Sequence, residues 1–141
     1  MPAGASEVQV EVVGVFEQAV GYQNQDRRVP VVLLRDPLGR ELHLPIGSCE
    51  GFAIHIFLER HVAPRPLTHD LALRLLEKLS ARLERVVVEA VPGEASHATL
   101  RLEARGGRLE VPAHPGDAVA LALRAEVPIF VDEDLLTGGE G

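Results

Sequence analysis

Asp36-Pro37-Leu38-Gly39-Arg40-Glu41-Leu42-His43-Leu44-Pro45, followed at once by Ser48-Cys49-Glu50-Gly51-Phe52-Ala53-Ile54, decides the fold class. Pro37 fixes one backbone torsion and Gly39 supplies a positive φ, so Asp36 to Gly39 is a turn. A strand follows over Glu41–Ile46. From Ser48 to His61 the period changes: Ala53, Ile54, Phe57 and Leu58 recur at helical spacing, and the proline-broken segment Val62–Leu67 ends the helix. A turn, a strand and a helix within one short stretch announce an α+β chain.

Upstream, the β-branched run Val29–Arg35 is the other arm of that hairpin, and Val8–Phe16 is a further strand. The polar stretch Glu17–Arg28 between them reads as a long loop or hairpin tip. Downstream, Thr68 is placed to cap a second helix, with Ala72, Leu75, Leu76, Leu79 and Leu83 as its core stripe. The pattern then recurs in outline: strands Arg85–Val91 and Ala98–Ala104, a turn at Arg105-Gly106-Gly107-Arg108, a short strand to Val111, a helix Asp117–Glu126 and a last strand Pro128–Val131. Each half holds a Gly-Arg turn, a strand ending in proline, and then a helix. The expected architecture is therefore a mixed, largely antiparallel sheet or sheets with three main helices and an internal strand-strand-strand-helix duplication. Residues 1–136 are expected to form one domain, with Thr137 to Gly141 as a disordered tail.

Composition narrows the function. The 141 residues are 46% hydrophobic and 25% charged, the balance of a folded soluble chain. Fourteen basic against 21 acidic residues give a net charge of −7, so a nucleic-acid role requires a local basic patch. One cysteine excludes an intramolecular disulfide. With no signal segment or apolar run of membrane length, a cytoplasmic location without membrane contact is expected. All basic side chains but Lys78 are arginine, which suits bidentate anion recognition and equally follows from codon bias. No phosphate loop, dinucleotide fingerprint or serine elbow is present, and His43, His55, His61, His97 and His114 lack zinc-site spacing.

Pro64-Arg65-Pro66-Leu67-Thr68-His69-Asp70-Leu71, with the leucine-rich helix behind it, resembles the Pro-Arg-Pro-x-Thr-His-Asp-Leu run of the bifunctional nuclease domain family. Leu44 to Ile54 is similar to a second motif of that family, with Gly51 in place of an alanine. Pro112 to Ala122 is similar to a third, with Pro112, His114 and Gly116 standing where the family has Asp, Arg and Ser. The resemblance covers most of the chain. It implies an α+β fold and phosphodiester hydrolysis of DNA or RNA, with His69, Asp70 and Glu50 as candidate catalytic groups. Arg65, Thr68 and His114 are then the candidate substrate contacts. Glu50, Asp70 and Asp117 are the candidate ligands of a divalent Mg²⁺ or Mn²⁺ ion.

Each candidate has a plainer reading beside it. Glu50 falls on the apolar stripe of its helix, so it is either a partly buried acid or a first-turn glutamate stabilised by the helix dipole. Thr68 and Asp70 are equally helix-start residues, and so is Asp117. If the duplication holds, Glu50 and Asp117 occupy matching helix starts and converge. A second class of function, a non-catalytic protein-binding or assembly module, fits the acidic balance and the scarcity of aromatics for base stacking. Phe52 and Ile56 leave the inward stripe of the first helix, and a homodimer is expected to cover them unless Glu17–Arg28 or Leu135-Leu136 folds across.

Overall fold

A computed structural model describes residues 6–22, 25–62, 65–91 and 96–139, so Pro64 of the nuclease-like run lies outside the described residues. The chain runs β1 (Glu7–Tyr22), β2 (Gln25–Arg35), β3 (Arg40–Pro45), α1 (Ser48–Leu58), α2 (Thr68–Lys78), β4 (Arg82–Glu89), β5 (His97–Ala104), β6 (Gly107–Ala113), α3 (Pro115–Ala125), β7 (Ile129–Asp132) and β8 (Thr137–Gly138). It is the expected α+β fold, and its three helices accompany one mixed sheet of order β6-β5-β4-β7-β1-β2-β3-β8.

The sheet shows why the sequence halves look alike. β1-β2-β3 and β4-β5-β6 are two antiparallel meanders, each followed by a helix, and they lie on either side of β7. β7 runs parallel to β4 and antiparallel to β1. β1 joins the halves: Glu7–Val10 pair with β7, whereas Glu11–Tyr22 pair with β2, and the ladder shifts register between Val12 and Gly14. A shift of this kind bends the strand and re-aims its side chains. The core lies between the sheet and the helices, with Val32, Leu34, Ile54, Val86, Val88, Val119 and Val131 fully enclosed. α3 is buried nearly throughout, which its run Ala118-Val119-Ala120-Leu121-Ala122 allows by offering no polar face.

Several expectations need correction. Of the two readings of Glu17–Arg28 the hairpin end holds and the loop does not, because β1 continues to Tyr22 and β2, antiparallel to it, begins at Gln25. That ribbon reaches past the segments paired with β7 and β3, so it has no core to bury and its sequence stays polar. α1 ends at Leu58, three residues before His61. The expected core stripe of α2 is the wrong one: Leu75 and Leu79 are 55% and 76% exposed, Leu83 belongs to β4, and the inward side carries His69, Ala72, Leu73 and Leu76. Thr137 and Gly138 are ordered as β8, paired with Glu41 and Arg40, so the chain is held at the point where a tail was expected. Phe52 is 62% exposed; Leu135 and Leu136 pack on the core instead.

Candidate functional site

All three helices carry a carboxylate at their third residue: Glu50 in α1, Asp70 in α2 and Asp117 in α3. Free N–H groups at a helix start attract such a charge. Glu50 and Asp70 serve their own helices. Glu50 Oε1 accepts the Gly47 N–H at 3.2 Å, and Asp70 Oδ2 accepts the Leu67 N–H at 3.1 Å. Leu67, not Thr68, is the capping residue of α2, and the Thr68 hydroxyl makes no capping bond.

Asp117 behaves differently. Pro115 opens α3 and removes one orphan N–H, and the Asp117 carboxylate accepts instead from His69 Nε2 at 2.8 Å. Because an ionised carboxylate only accepts, a proton sits on Nε2, and in the neutral imidazole the lone pair is then on Nδ1. His69 is buried and Asp117 is partly open to solvent, with 41% of its side chain exposed. A histidine held by a carboxylate is an arrangement that can transfer a proton where a substrate reaches it.

Arg124 is the residue that sequence reasoning missed. Its side chain is 5% exposed, and it donates to Asp70 Oδ1 at 2.9 Å, to the Ala53 carbonyl at 2.9 Å and to the Ala120 carbonyl at 3.3 Å. One guanidinium thus ties together the three helices, and it also lies over the Phe57 ring at 5.5 Å. Only a basic residue in the last turn of an apolar helix hinted at this. Its partners stand 54 and 71 residues away in the chain.

Beside this junction opens a cleft of about 360 Å³ that His61, Arg65, Asp70, Arg74 and Arg124 line. Arg124 is neutralised by Asp70, but Arg65 and Arg74 have no carboxylate partner among the described residues. Several other arginines face acids: Arg35 meets Glu41, Arg40 meets Asp36 and Glu133, Arg82 meets Glu103, and Arg101 meets Glu7 and Glu110, whereas Arg85 lies over Phe130 and Arg105 bonds Ser80.

The expected residues divide accordingly. Arg65 and Asp70 line the cleft, whereas His69, which is buried, and Asp117 do not. Glu50 packs against Gly116, so the α1 and α3 starts do converge, yet Glu50 does not line the cleft. Asp70 is half-buried in the cleft wall, and Arg124 and the Leu67 N–H use its two oxygens. Thr68 and His114 are exposed and also lie outside the lining. Glu50, Asp70 and Asp117 each accept from a different partner, the Gly47 N–H, Arg124 and His69 in turn. Among the described residues, no three histidine, cysteine or acidic side chains are grouped to hold a metal.

The family model of the bifunctional nuclease domain matches residues 32–140, which takes in all three helices, the His69–Asp117 pair and the cleft. The chain belongs to the bifunctional nuclease domain family. It is also similar to uncharacterised proteins of two strains of Mycobacterium tuberculosis, CDC 1551 / Oshkosh and ATCC 25618 / H37Rv. Each is 39% identical over 130 residues, which cover 91% of this chain and 73% of the relative. Among the described residues, no helix is long and apolar enough to cross a membrane.

Proposed function

We propose that this bifunctional nuclease domain protein hydrolyses phosphodiester bonds of DNA or RNA at the arginine cleft. The observation that carries the reading is the pair Arg65 and Arg74, unpartnered in a cleft next to the Thr68-His69-Asp70 run. Guanidinium groups engage phosphate oxygens through paired N–H donors and so hold the substrate strand in the cleft. His69 does not line the cleft; held by Asp117 and next in α2 to the cleft residue Asp70, it is the group we assign to proton transfer. Water supplies the hydroxyl that forms the new P–O bond, and the displaced sugar oxygen leaves with a proton.

A labelled single strand incubated with purified protein, with and without Mg²⁺, tests this. Asp117→Asn should lower the cleavage rate by about 100-fold, the usual range for a lost proton-transfer partner, while the melting temperature stays close to wild type. Arg65→Gln with Arg74→Gln should weaken substrate binding. Undiminished cleavage in both variants would mean that the activity resides elsewhere.

A protein-binding or assembly role is favoured by a separate observation. Leu71, Leu75 and Leu79 form a stripe on the outer side of α2, each about half exposed or more. A second copy meeting this stripe in a symmetric pair would cover it, which is our reading of the oligomeric state. Light scattering should give a dimer that Leu71→Glu with Leu75→Glu splits into folded monomers. A wild-type monomer at micromolar concentration would discard this reading.

A further inference from the structure

The cleft has a charge balance that selects among phosphates, an argument that rests on the reading that it binds nucleic acid. Two of its guanidiniums are uncommitted, Arg65 and Arg74, while the charge of Arg124 is already met by Asp70 at 2.9 Å. An internal phosphodiester carries one negative charge. A terminal phosphomonoester carries nearly two at neutral pH and presents three acceptor oxygens. Two free guanidinium forks match the second and over-supply the first. His61, exposed on the same cleft, adds a donor to either.

Size points the same way. At about 360 Å³ the cleft stands at the lower end of ligand-sized cavities, about 300–1,000 Å³, and holds one nucleotide rather than a length of backbone. Its remaining walls are Val62, Pro66 and Leu73, which offer apolar cover to a sugar or base but no aromatic face for stacking. Other arginines, among them Arg35, Arg82, Arg101 and Arg108, face carboxylates of their own, and the chain as a whole is acidic.

We propose that the Arg65–Arg74 cleft recognises the phosphomonoester at a nucleic-acid chain end, in preference to internal phosphodiesters. Binding is thus led by the terminal phosphate and tolerates any base.

Fluorescence anisotropy with a short single strand whose phosphorothioate linkages resist cleavage tests the proposal. The strand is prepared with a 5′-phosphate, with a 3′-phosphate or with neither. One phosphorylated form should bind about tenfold more tightly than the bare strand, and Arg65→Gln with Arg74→Gln should remove that difference without lowering the melting temperature. A nucleoside monophosphate should displace the strand at least about tenfold better than its nucleoside, and better than inorganic phosphate. Equal affinity for all three strands would overturn end recognition and leave the nuclease reading standing. Equal displacement by inorganic phosphate would overturn the assignment to a nucleotide end. No binding of any strand would overturn the nuclease reading and this proposal with it.

Discussion

The two halves of the molecule start from the same plan and spend it differently. α1 and α3 each follow a three-stranded meander and each place an acid at the third residue. Glu50 turns back to its own helix start, whereas Asp117 reaches across to His69. Seven residues further on, Phe57 of α1 and Arg124 of α3 occupy equivalent positions, and they stack on one another at 5.5 Å. Local chemistry is thus shared, and function separates the halves through long-range partners. The α1 half supplies surfaces; the α3 half supplies the groups that hold α2 and its Thr68-His69-Asp70 run.

Removing the clasp is the strongest way to break this comparison. Arg124→Leu keeps an apolar body over Phe57 but leaves Asp70 Oδ1 and the Ala53 carbonyl without their donor. An unmatched, half-buried charge and a lost carbonyl bond together should cost about 2–3 kcal/mol of unfolding free energy in urea. The reciprocal Phe57→Leu should cost less, since it removes only ring area and the cation–π contact. If the two variants unfold at the same midpoint, the halves are equivalent as scaffold and the assignment of the clasp to α3 fails.

These contrasts mark how far the sequence could be read. The meanders, all three helices and the matching starts of α1 and α3 were legible because each depends on local period, turn chemistry or an N-terminal acid. Asp117 with His69 was not, because 48 residues separate them and a third-residue acid looks like an ordinary helix-dipole partner. Arg124 was hidden for the same reason. α2 misled in another way. Leucines at Leu71, Leu75 and Leu79 form as good a stripe as the inward Ala72, Leu73 and Leu76, and periodicity alone cannot rank two apolar stripes on one helix. The ribbon beyond Phe16 was missed because strand patterning reports burial, and Glu17–Ala19 lie exposed outside the core.

A smaller effect sharpens the convergence of the two helix starts. A Cβ added at Gly116 would stand 2.9 Å from the Glu50 Cβ, the root of that side chain rather than its movable tip, so the helices themselves must shift. Gly116→Ala should therefore cost about 1–3 kcal/mol, within the range for overpacking. In a Glu50→Gly background the same change should cost about 1 kcal/mol less, a coupling that thermal or urea unfolding of the four proteins measures. Additive costs would separate α1 from α3 at this point and remove the structural basis for treating them as a converging pair.

The smallest difference is expected between the two hairpin turns. Gly106-Gly107 closes the second meander with little side-chain support, but the first turn is locked by buried Asp36, which accepts from the Leu38 N–H at 3.0 Å, the Arg40 N–H at 2.7 Å and Arg40 Nε at 2.7 Å. Burial pushes the Asp36 carboxyl upward, and the Arg40 and Leu38 bonds outweigh it, so the carboxyl titrates below its ordinary value. A depressed folded pKa means that ionised Asp36 stabilises the fold above the unfolded value, about 4, and that this contribution is lost as pH falls through the folded value. Asp36→Asn keeps an oxygen for the turn N–H groups but loses the charge and the Oδ2 acceptor that Arg40 Nε uses. Its melting temperature should lie below wild type at pH 7, and the two curves should draw together as the pH drops below about 4. A gap that stays constant into acid would mean that Asp36 holds the turn by hydrogen bonding alone, and that charge contributes to neither turn.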